Sequence, residues 1–323
     1  MKIKKKIKIY IAGHNGMVGR AIHRYLLKNM IGIIITADRK KLNLENFKKI
    51  DKFIKKNKPD VIINCAGKVG GILANNNYPI EFLNENIEIQ KNLIKSSYSN
   101  SIEHFINLGS SCIYPRNSKQ PIKESYLLTG SLEKTNEAYA LAKIVGLKMC
   151  ELYNSQYNKS YLTLMPCNLY GPNDNFDLQN SHFLPALIKK ITENANQQNK
   201  SIEIWGTGKP KREIMHVDDL ASAIVFILKK KIKNDVKLLR LIKKSSVMNV
   251  GSGNEYSISN YAKIICKIIN NKNKLNFNQN YPDGTMRKIL DSTLIKSLGW
   301  RPKITIKKGL SETINWFKKN YPN

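Results

Sequence analysis

The sequence predicts a doubly wound α/β fold, a parallel sheet with helices packed on both faces. Two observations carry the prediction. Short apolar runs alternate with helical segments through the first half of the chain, and a glycine-rich turn stands directly between the first run and the first helix. The 323 residues, 41% hydrophobic and 24% charged, suffice to bury a sizeable core and are too apolar for a disordered chain.

Residues 7–12 form a short apolar run ended by Gly13, the profile of a strand buried on both faces, and 18–29 reads as the helix that follows. A second strand is expected at 31–37, a helix at 44–56 and, after Pro59-Asp60, a third strand at 61–65. A helix at 80–99, a strand at 104–108, a helix at 136–157 and a strand at 162–165 complete the alternation. Past Gly171-Pro172 the pattern loosens into polar loops, a helix at 184–193, a strand at 202–205 and a helix at 220–230. Residues 231–246 are charged and read as a surface excursion; a strand at 247–250 and helices at 258–270 and 307–319 follow. The expected organisation is a dinucleotide-binding domain over 1–172, joined by part of 213–255, and a smaller α/β substrate domain in 173–323.

Composition excludes several classes. The five cysteines, Cys65, Cys112, Cys150, Cys167 and Cys266, are widely spaced without a Cys-x-x-Cys pair, which supports neither a disulfide framework nor a zinc site. Residues 2–8 alternate basic and apolar side chains, but no long apolar segment with a cleavage site follows, and no run of about 18 apolar residues occurs. The expectation is a cytoplasmic protein. The net charge of +30 attracts polyanions, yet the lysines are spread along the whole chain among abundant Asn and Ile, as compositional bias would produce. A basic, RNA-binding protein without catalysis stands as the alternative from another class. His216-Val217-Asp218-Asp219 has the composition of a metal site but reads as a turn into the next helix with Asp218 as its cap, and no metal is expected.

The turn Gly13-His14-Asn15-Gly16-Met17-Val18-Gly19 has the chemistry of a phosphate cradle. Glycine lets backbone N–H groups approach a pyrophosphate at a helix N-terminus, where the dipole favours negative charge. Its place on the first strand-to-helix turn makes it a dinucleotide site of the Rossmann type. The second strand ends at Asp38-Arg39-Lys40-Lys41; Asp38 would hold a ribose hydroxyl, whereas Arg39 and the lysines would hold a 2′-phosphate, and the cations favour NADP.

Tyr139 and Lys143 are one helical turn apart on one face. An ammonium beneath a phenol stabilises the phenolate, so Lys143 is expected to lower the Tyr139 pKa from about 10 toward neutrality. Ser110 can bond the same substrate oxygen, and the pair then forms a hole for charge developing on a carbonyl. Two residues on stands Cys112, a thiol that ketone reduction by itself does not need.

These segments resemble the extended short-chain dehydrogenase/reductase superfamily, and further ones resemble its GDP-L-fucose synthase family. They are 12–19, Lys68-Val69-Gly70-Gly71-Ile72 with Ala74-Asn75-Asn76, 109–115, 135–139, 168–176 and Pro282-Asp283-Gly284-Thr285. Ala138 and Cys167 depart from the family's usual Pro and Thr. The resemblance implies an NADPH-dependent enzyme that inverts C3 and C5 of GDP-4-keto-6-deoxy-D-mannose and then reduces C4, yielding GDP-L-fucose. It implies catalytic roles for Ser110, Tyr139 and Lys143, with Cys112 as the base and His182 as the acid of epimerisation. The thiol's reference pKa of about 8.5 should then be lowered by the site.

By the same resemblance Asn64-Cys65-Ala66-Gly67 walls the adenine and ribose, and NADP also lies against Leu108, Gly109, Ser110, Ser111, Lys143, Pro166, Cys167, Asn168, Leu169 and His182. Lys190 and Arg212 fall near the substrate's diphosphate, Trp205 near its nucleotide and Asp283 on the far wall, with Lys288 a further candidate. A homodimer is implied. The competing enzyme reading is another nucleotide-sugar 4-epimerase or reductase of the superfamily.

Overall fold

The computed structural model describes residues 6–195, 201–281 and 283–322. The first part of the chain forms β1 (Lys8–Ala12), α1 (Met17–Lys28), β2 (Ile33–Ile35), α2 (Phe47–Asn57), β3 (Val61–Asn64), α3 (Ile72–Asn77), α4 (Pro79–Ser99) and β4 (His104–Leu108). A 3-10 turn at Ser111–Ile113 precedes α5 (Glu137–Tyr157), β5 (Leu162–Pro166), β6 (Asn168–Tyr170), α6 (Phe183–Glu193), β7 (Ile202–Trp205) and β8 (Lys211–His216). There follow α7 (Val217–Ile232), α8 (Val236–Lys244), β9 (Val247–Val250), β10 (Glu255–Ser257) and α9 (Ile258–Ile269). The last elements are β11 (Leu275–Asn278), β12 (Arg287–Lys288), α10 (Thr293–Ser297) and α11 (Ile306–Asn320).

Six strands make one parallel sheet in the order β2-β1-β3-β4-β5-β9. Alternation along β1 places Ile9 and Ile11 in a core shared with α1 and α7, while Tyr10 and Ala12 join the opposite core with Ile50 of α2 and Leu93 of α4. Both faces are therefore buried, as the near-continuous apolar strands require. The strand order reverses between β1 and β3, and the crevice outside the carboxyl ends at such a switch is where doubly wound sheets bind ligands.

A separate apolar cluster joins α6, α9, α11 and β7 through residues such as Leu187, Ile204, Ile265 and Phe317. The segment between the two clusters divides its elements. β8 lies in a second sheet beside β10, β12 and β6, whereas β9 extends the six-stranded sheet next to β5.

Two expectations are corrected. Residues 231–246 are no surface excursion: α8 buries Leu238 and Ile242, and Lys231 is 1% exposed, with its ammonium donating to the carbonyl and hydroxyl oxygens of Ser160. The charged residues occupy one side of an amphipathic helix, a pattern that a simple count of lysines conceals. Asp218 does not cap α7. That position belongs to His216, whose Nδ1 accepts from the Asp218 N–H, and the Asp218 carboxylate instead pairs with Arg24 of α1.

Candidate active site

The glycine turn joins β1 to α1 as expected. Gly13 has φ +82°, and a Cβ there would lie 2.7 Å from the backbone of Ala66; one at Gly19 would lie 2.2 Å from the Gly13 carbonyl oxygen. These two glycines are required by the protein's own packing. Gly16 is different, because a Cβ there would meet only the Gly13 oxygen at 3.6 Å. Gly16 is the N-cap of α1 and offers no side chain to the first turn, so the N–H groups of Met17, Val18 and Gly19 have no intrahelical acceptor. An open helix N-terminus lined by backbone donors fits a pyrophosphate.

Asp38 turns toward this loop, accepting from Asn15 Nδ2 at 2.9 Å and lying 3.3 Å from His14 Nε2. The Asn15 bond first, and the nearby His14 and Lys41 charges, hold its carboxyl below the usual range. Arg39, three-quarters exposed, pairs with Glu45 at 3.0 Å and Glu85 at 3.6 Å. Asp38 is thus engaged with the loop and the Arg39 guanidinium stays at the rim, an arrangement that suits a 2′-phosphate.

At the end of β4, Ser110 Oγ accepts from the Cys112 N–H at 3.4 Å and so caps the 3-10 turn that carries the thiol. Leu108, two residues back, accepts through its carbonyl from Lys143 Nζ at 3.1 Å. Lys143 is 4% exposed, and burial pulls its pKa from 10.5 to about 8. Its ammonium lies 5.6 Å from the centroid of the Tyr139 ring. Gly109 and the buried Ser111 complete the strand end.

Two pKa expectations are overturned. Burial pushes the Tyr139 phenol up rather than toward neutrality, with the Cys112 charge adding and only the Ser110 hydroxyl opposing. Burial also raises the Cys112 thiol, against the opposing influence of Lys288, then the Ser110 hydroxyl and Lys143. Both shifts have the same cause: Cys112 is 8% exposed and Tyr139 partly buried, and desolvation outweighs the neighbouring groups that favour the charged forms. A raised phenol is fully protonated near neutrality, which is the form a proton donor needs.

Pro166 ends β5, and Asn168 and Leu169 begin β6 half-buried beside it. The Cys167 thiol is buried, 3.7 Å from the Asn168 carbonyl oxygen, and burial raises it well above its ordinary value. His182 is the N-cap of α6 and uses no side-chain bond there; it is exposed, yet burial by surrounding groups lowers its pKa, as for a ring lining a concave wall. Its loop is fastened to the loop after β3 through the Gly71 N–H, which donates to the Asn180 carbonyl at 2.8 Å.

The substrate candidates form two groups. Trp205 stacks on Tyr281 at 4.3 Å with 13° between planes, and Lys190 Nζ stands 4.7 Å from the Trp205 centroid. Arg212 and Lys288 are paired in register across β8 and β12. Asp283 uses both oxygens on Thr207, accepting from its N–H at 2.9 Å and its hydroxyl at 2.6 Å, and so shapes the turn after Trp205. Pro282 lies outside the described residues. A cavity of about 560 Å³ between Lys58, Asp60, Asn100 and His104 opens at the amino ends of β3 and β4, the opposite end of the sheet from all of these groups.

Residues 9–251 match the NAD dependent epimerase/dehydratase family. The chain belongs to this family. Within it, the chain is 43% identical over 319 residues to GDP-L-fucose synthase 1 of Arabidopsis thaliana, covering 99% of this chain and 95% of the relative. It is 42% identical over 315 residues to GDP-L-fucose synthase of Escherichia coli strain K12, covering 98% of each. A GDP-mannoheptose C4 reductase from Campylobacter jejuni, solved with NADP bound, superposes with a TM-score of 0.86 at 36% identity, covering 98% of this chain and 99% of that one.

For this member of the family, sequence reasoning passed over Tyr281, Glu133 and Arg116. Glu133 Oε2 lies 3.3 Å from Arg116 Nε and 3.5 Å from Thr285 Oγ1. No local spacing announces such contacts, because Glu133 and Thr285 are 152 residues apart in the chain. Tyr281 had a weak signal, an aromatic just ahead of the Pro282-Asp283-Gly284-Thr285 segment.

Proposed function

We propose that this chain converts GDP-4-keto-6-deoxy-D-mannose to GDP-L-fucose with NADPH, inverting C3 and C5 before reducing C4. One observation carries the reading: a thiol, Cys112, shares a single 3-10 turn with Ser110, under the same Tyr139 and Lys143 that serve a carbonyl. Reduction alone has no use for that thiol.

A C4 ketone acidifies the hydrogens on C3 and C5, so a base and an acid on opposite faces can invert both carbons through enolates. Cys112 removes the proton from one face and His182 returns one to the other. Both enolisation and reduction place negative charge on the C4 oxygen, where the Ser110 hydroxyl and Tyr139 phenol act as donors. NADPH, when bound, would supply the hydride for C4. Tyr139, kept protonated by burial, then gives its proton to the alkoxide, and Lys143 stabilises the phenolate left behind. Met17, Val18 and Gly19 offer backbone donors to the cofactor's pyrophosphate, and Arg39 offers its guanidinium to the 2′-phosphate. Lys190, Arg212 and Lys288 supply the positive charge for the substrate's diphosphate, and the Trp205–Tyr281 stack bounds its nucleotide.

The division into a cofactor domain over 1–172 with β9, and a substrate domain built around α6, α9 and α11, belongs to this reading. So does a homodimer: Leu141, Val145 and Leu152 leave an exposed apolar stripe along α5. No helix among the described residues is long and apolar enough to cross a membrane. With its five cysteines free, the protein suits the reducing cytoplasm.

A second reading, a GDP-sugar C4 reductase without epimerisation, is favoured by the likeness to the Campylobacter reductase. One experiment separates them. The protein is supplied with GDP-4-keto-6-deoxy-D-mannose and NADPH in deuterated water. The first reading expects deuterium at C3 and C5 of GDP-fucose, lost in Cys112→Ser while direct C4 reduction survives. Reduction with no deuterium in the parent's product establishes the second reading, and full exchange in Cys112→Ser removes the thiol from the mechanism.

A further inference from the structure

Asp38 stands just past β2, where doubly wound folds place the carboxylate that accepts from a ribose 2′-hydroxyl and selects NAD. The same charge repels the 2′-phosphate of NADPH. Arg39, Lys40 and Lys41 follow it directly and favour that phosphate, so this strand end carries two opposed signals side by side. Where the Asp38 carboxylate is held decides between them.

Oδ1 of Asp38 accepts from Asn15 Nδ2 at 2.9 Å, across 23 residues of chain, and His14 Nε2 lies 3.3 Å from the same oxygen. Among the described residues no donor reaches Oδ2. The two backbones that bring these side chains together are fixed independently. On one side the Asp38 carbonyl accepts from the Lys41 N–H at 2.9 Å and the Leu42 N–H at 2.8 Å, and the Leu42 side chain is buried. On the other, the Gly16 N–H donates to the Gly13 carbonyl at 3.2 Å and Arg20 Nε to the Asn15 carbonyl at 2.8 Å. Two fixed turns thus hold one exposed amide against one exposed carboxylate, which lowers the entropy cost of keeping the bond. Arg39, next in the chain, pairs with Glu45 and Glu85 and not with Asp38, so that carboxylate does not neutralise it.

We propose that Asn15 makes this site select NADPH over NADH: its amide holds Asp38 Oδ1 to the glycine turn, which withholds the carboxylate from the ribose and leaves the 2′ position to the cations of residues 39–41. Asn15 acts through Asp38 and is a positioning residue. The inference rests on the reading of NADPH as the cofactor, and deepens it by naming what keeps an NAD-type carboxylate from opposing the 2′-phosphate. It also gives the Asn15 side chain a purpose that the backbone cradle for a pyrophosphate does not require.

The test is equilibrium binding of NADPH and of NADH to the whole protein, followed by reduced-nicotinamide fluorescence with no sugar nucleotide present. The parent is expected to prefer NADPH. Asn15 is exposed and its backbone bonds do not involve its amide, so Asn15→Ala tests the amide and not the fold. In Asn15→Ala the ratio of the two dissociation constants should fall about tenfold, with NADPH bound more weakly and NADH more tightly, because the freed carboxylate repels a phosphate and accepts from a hydroxyl. A gain in NADH affinity is a result that mere loosening of the turn does not produce. In an Asp38→Ser background the same substitution should leave the ratio unchanged, the non-additivity expected of residues acting in series. An unchanged ratio in Asn15→Ala overturns the proposal, as does equal weakening of both cofactors, which would place the amide on the pyrophosphate. The same fall in the Asp38→Ser background overturns it too, since Asn15 would then touch the 2′-phosphate directly. A parent that binds NADH as tightly as NADPH overturns the cofactor reading and the proposal together, whereas the other three results leave that reading standing.

Discussion

Raising the pH through about 8 should switch off ketone reduction by taking a proton from Lys143, with Tyr139 still protonated. The perturbation follows from position. Lys143 is 4% exposed, and burial brings it from 10.5 to about 8 even though the neighbouring Cys112 and Cys65 thiols favour its charged form. The same burial moves the Tyr139 phenol upward, so the two groups part rather than converge. Once the lysine is neutral, the phenolate left by proton transfer loses its counter-charge. The free-enzyme profile of kcat/KM should therefore fall about tenfold per pH unit above the Lys143 pKa. The assay is initial-rate NADPH oxidation across the pH range with the 4-keto sugar nucleotide. In Lys143→Arg, whose guanidinium does not titrate in that range, the alkaline limb should vanish even if the plateau is lower. An alkaline limb that persists unchanged in Lys143→Arg refutes the reasoning and returns the titration to the phenol or the thiol.

Other outcomes follow from the same structure. Gly13→Ala places a Cβ 2.7 Å from the Ala66 backbone at φ +82°, and should destabilise the protein by about 1–3 kcal/mol; Gly16→Ala meets only a 3.6 Å contact and should melt like the parent while losing the thermal shift that NADPH produces. Arg39→Ser should weaken NADPH more than NADH, read from the ratio of their kcat/KM values, because only the former carries a 2′-phosphate. Lys231 has a folded pKa of about 8 against 10.5 unfolded, so the unfolded chain binds more protons between these values and stability rises with pH there. Relative to Lys231→Met, the parent should gain about 3 kcal/mol from pH 8 to 10.5 in urea unfolding, from roughly 1.4 kcal/mol per unit; a constant difference would remove the buried charge.

Much of the fold was legible because a parallel sheet buried on both faces writes itself as apolar runs. β1, β3, β4 and β5 stand where their runs are, and Gly13, Gly16 and Gly19 announce the turn that follows. The second half was harder to read. β10, β11 and β12 are two to four residues long with no fully buried position, and α8 hides two buried residues among lysines. Short elements stabilised by partners far along the chain carry little periodicity of their own.

That Ser110 and Cys112 stand at one strand end and Tyr139 and Lys143 on one helix turn was legible in the sequence alone, from their local spacing. Their protonation was decided by the tertiary structure. Spacing says that a lysine is beneath a tyrosine and suggests a lowered phenol; only packing reveals that both are buried, so that desolvation raises the phenol and the thiol and lowers the lysine. The same holds for Glu133 and Thr285, 152 residues apart in the chain, whose contact no local pattern encodes. A pKa depends on everything within a few ångströms, and those neighbours are brought there by the fold.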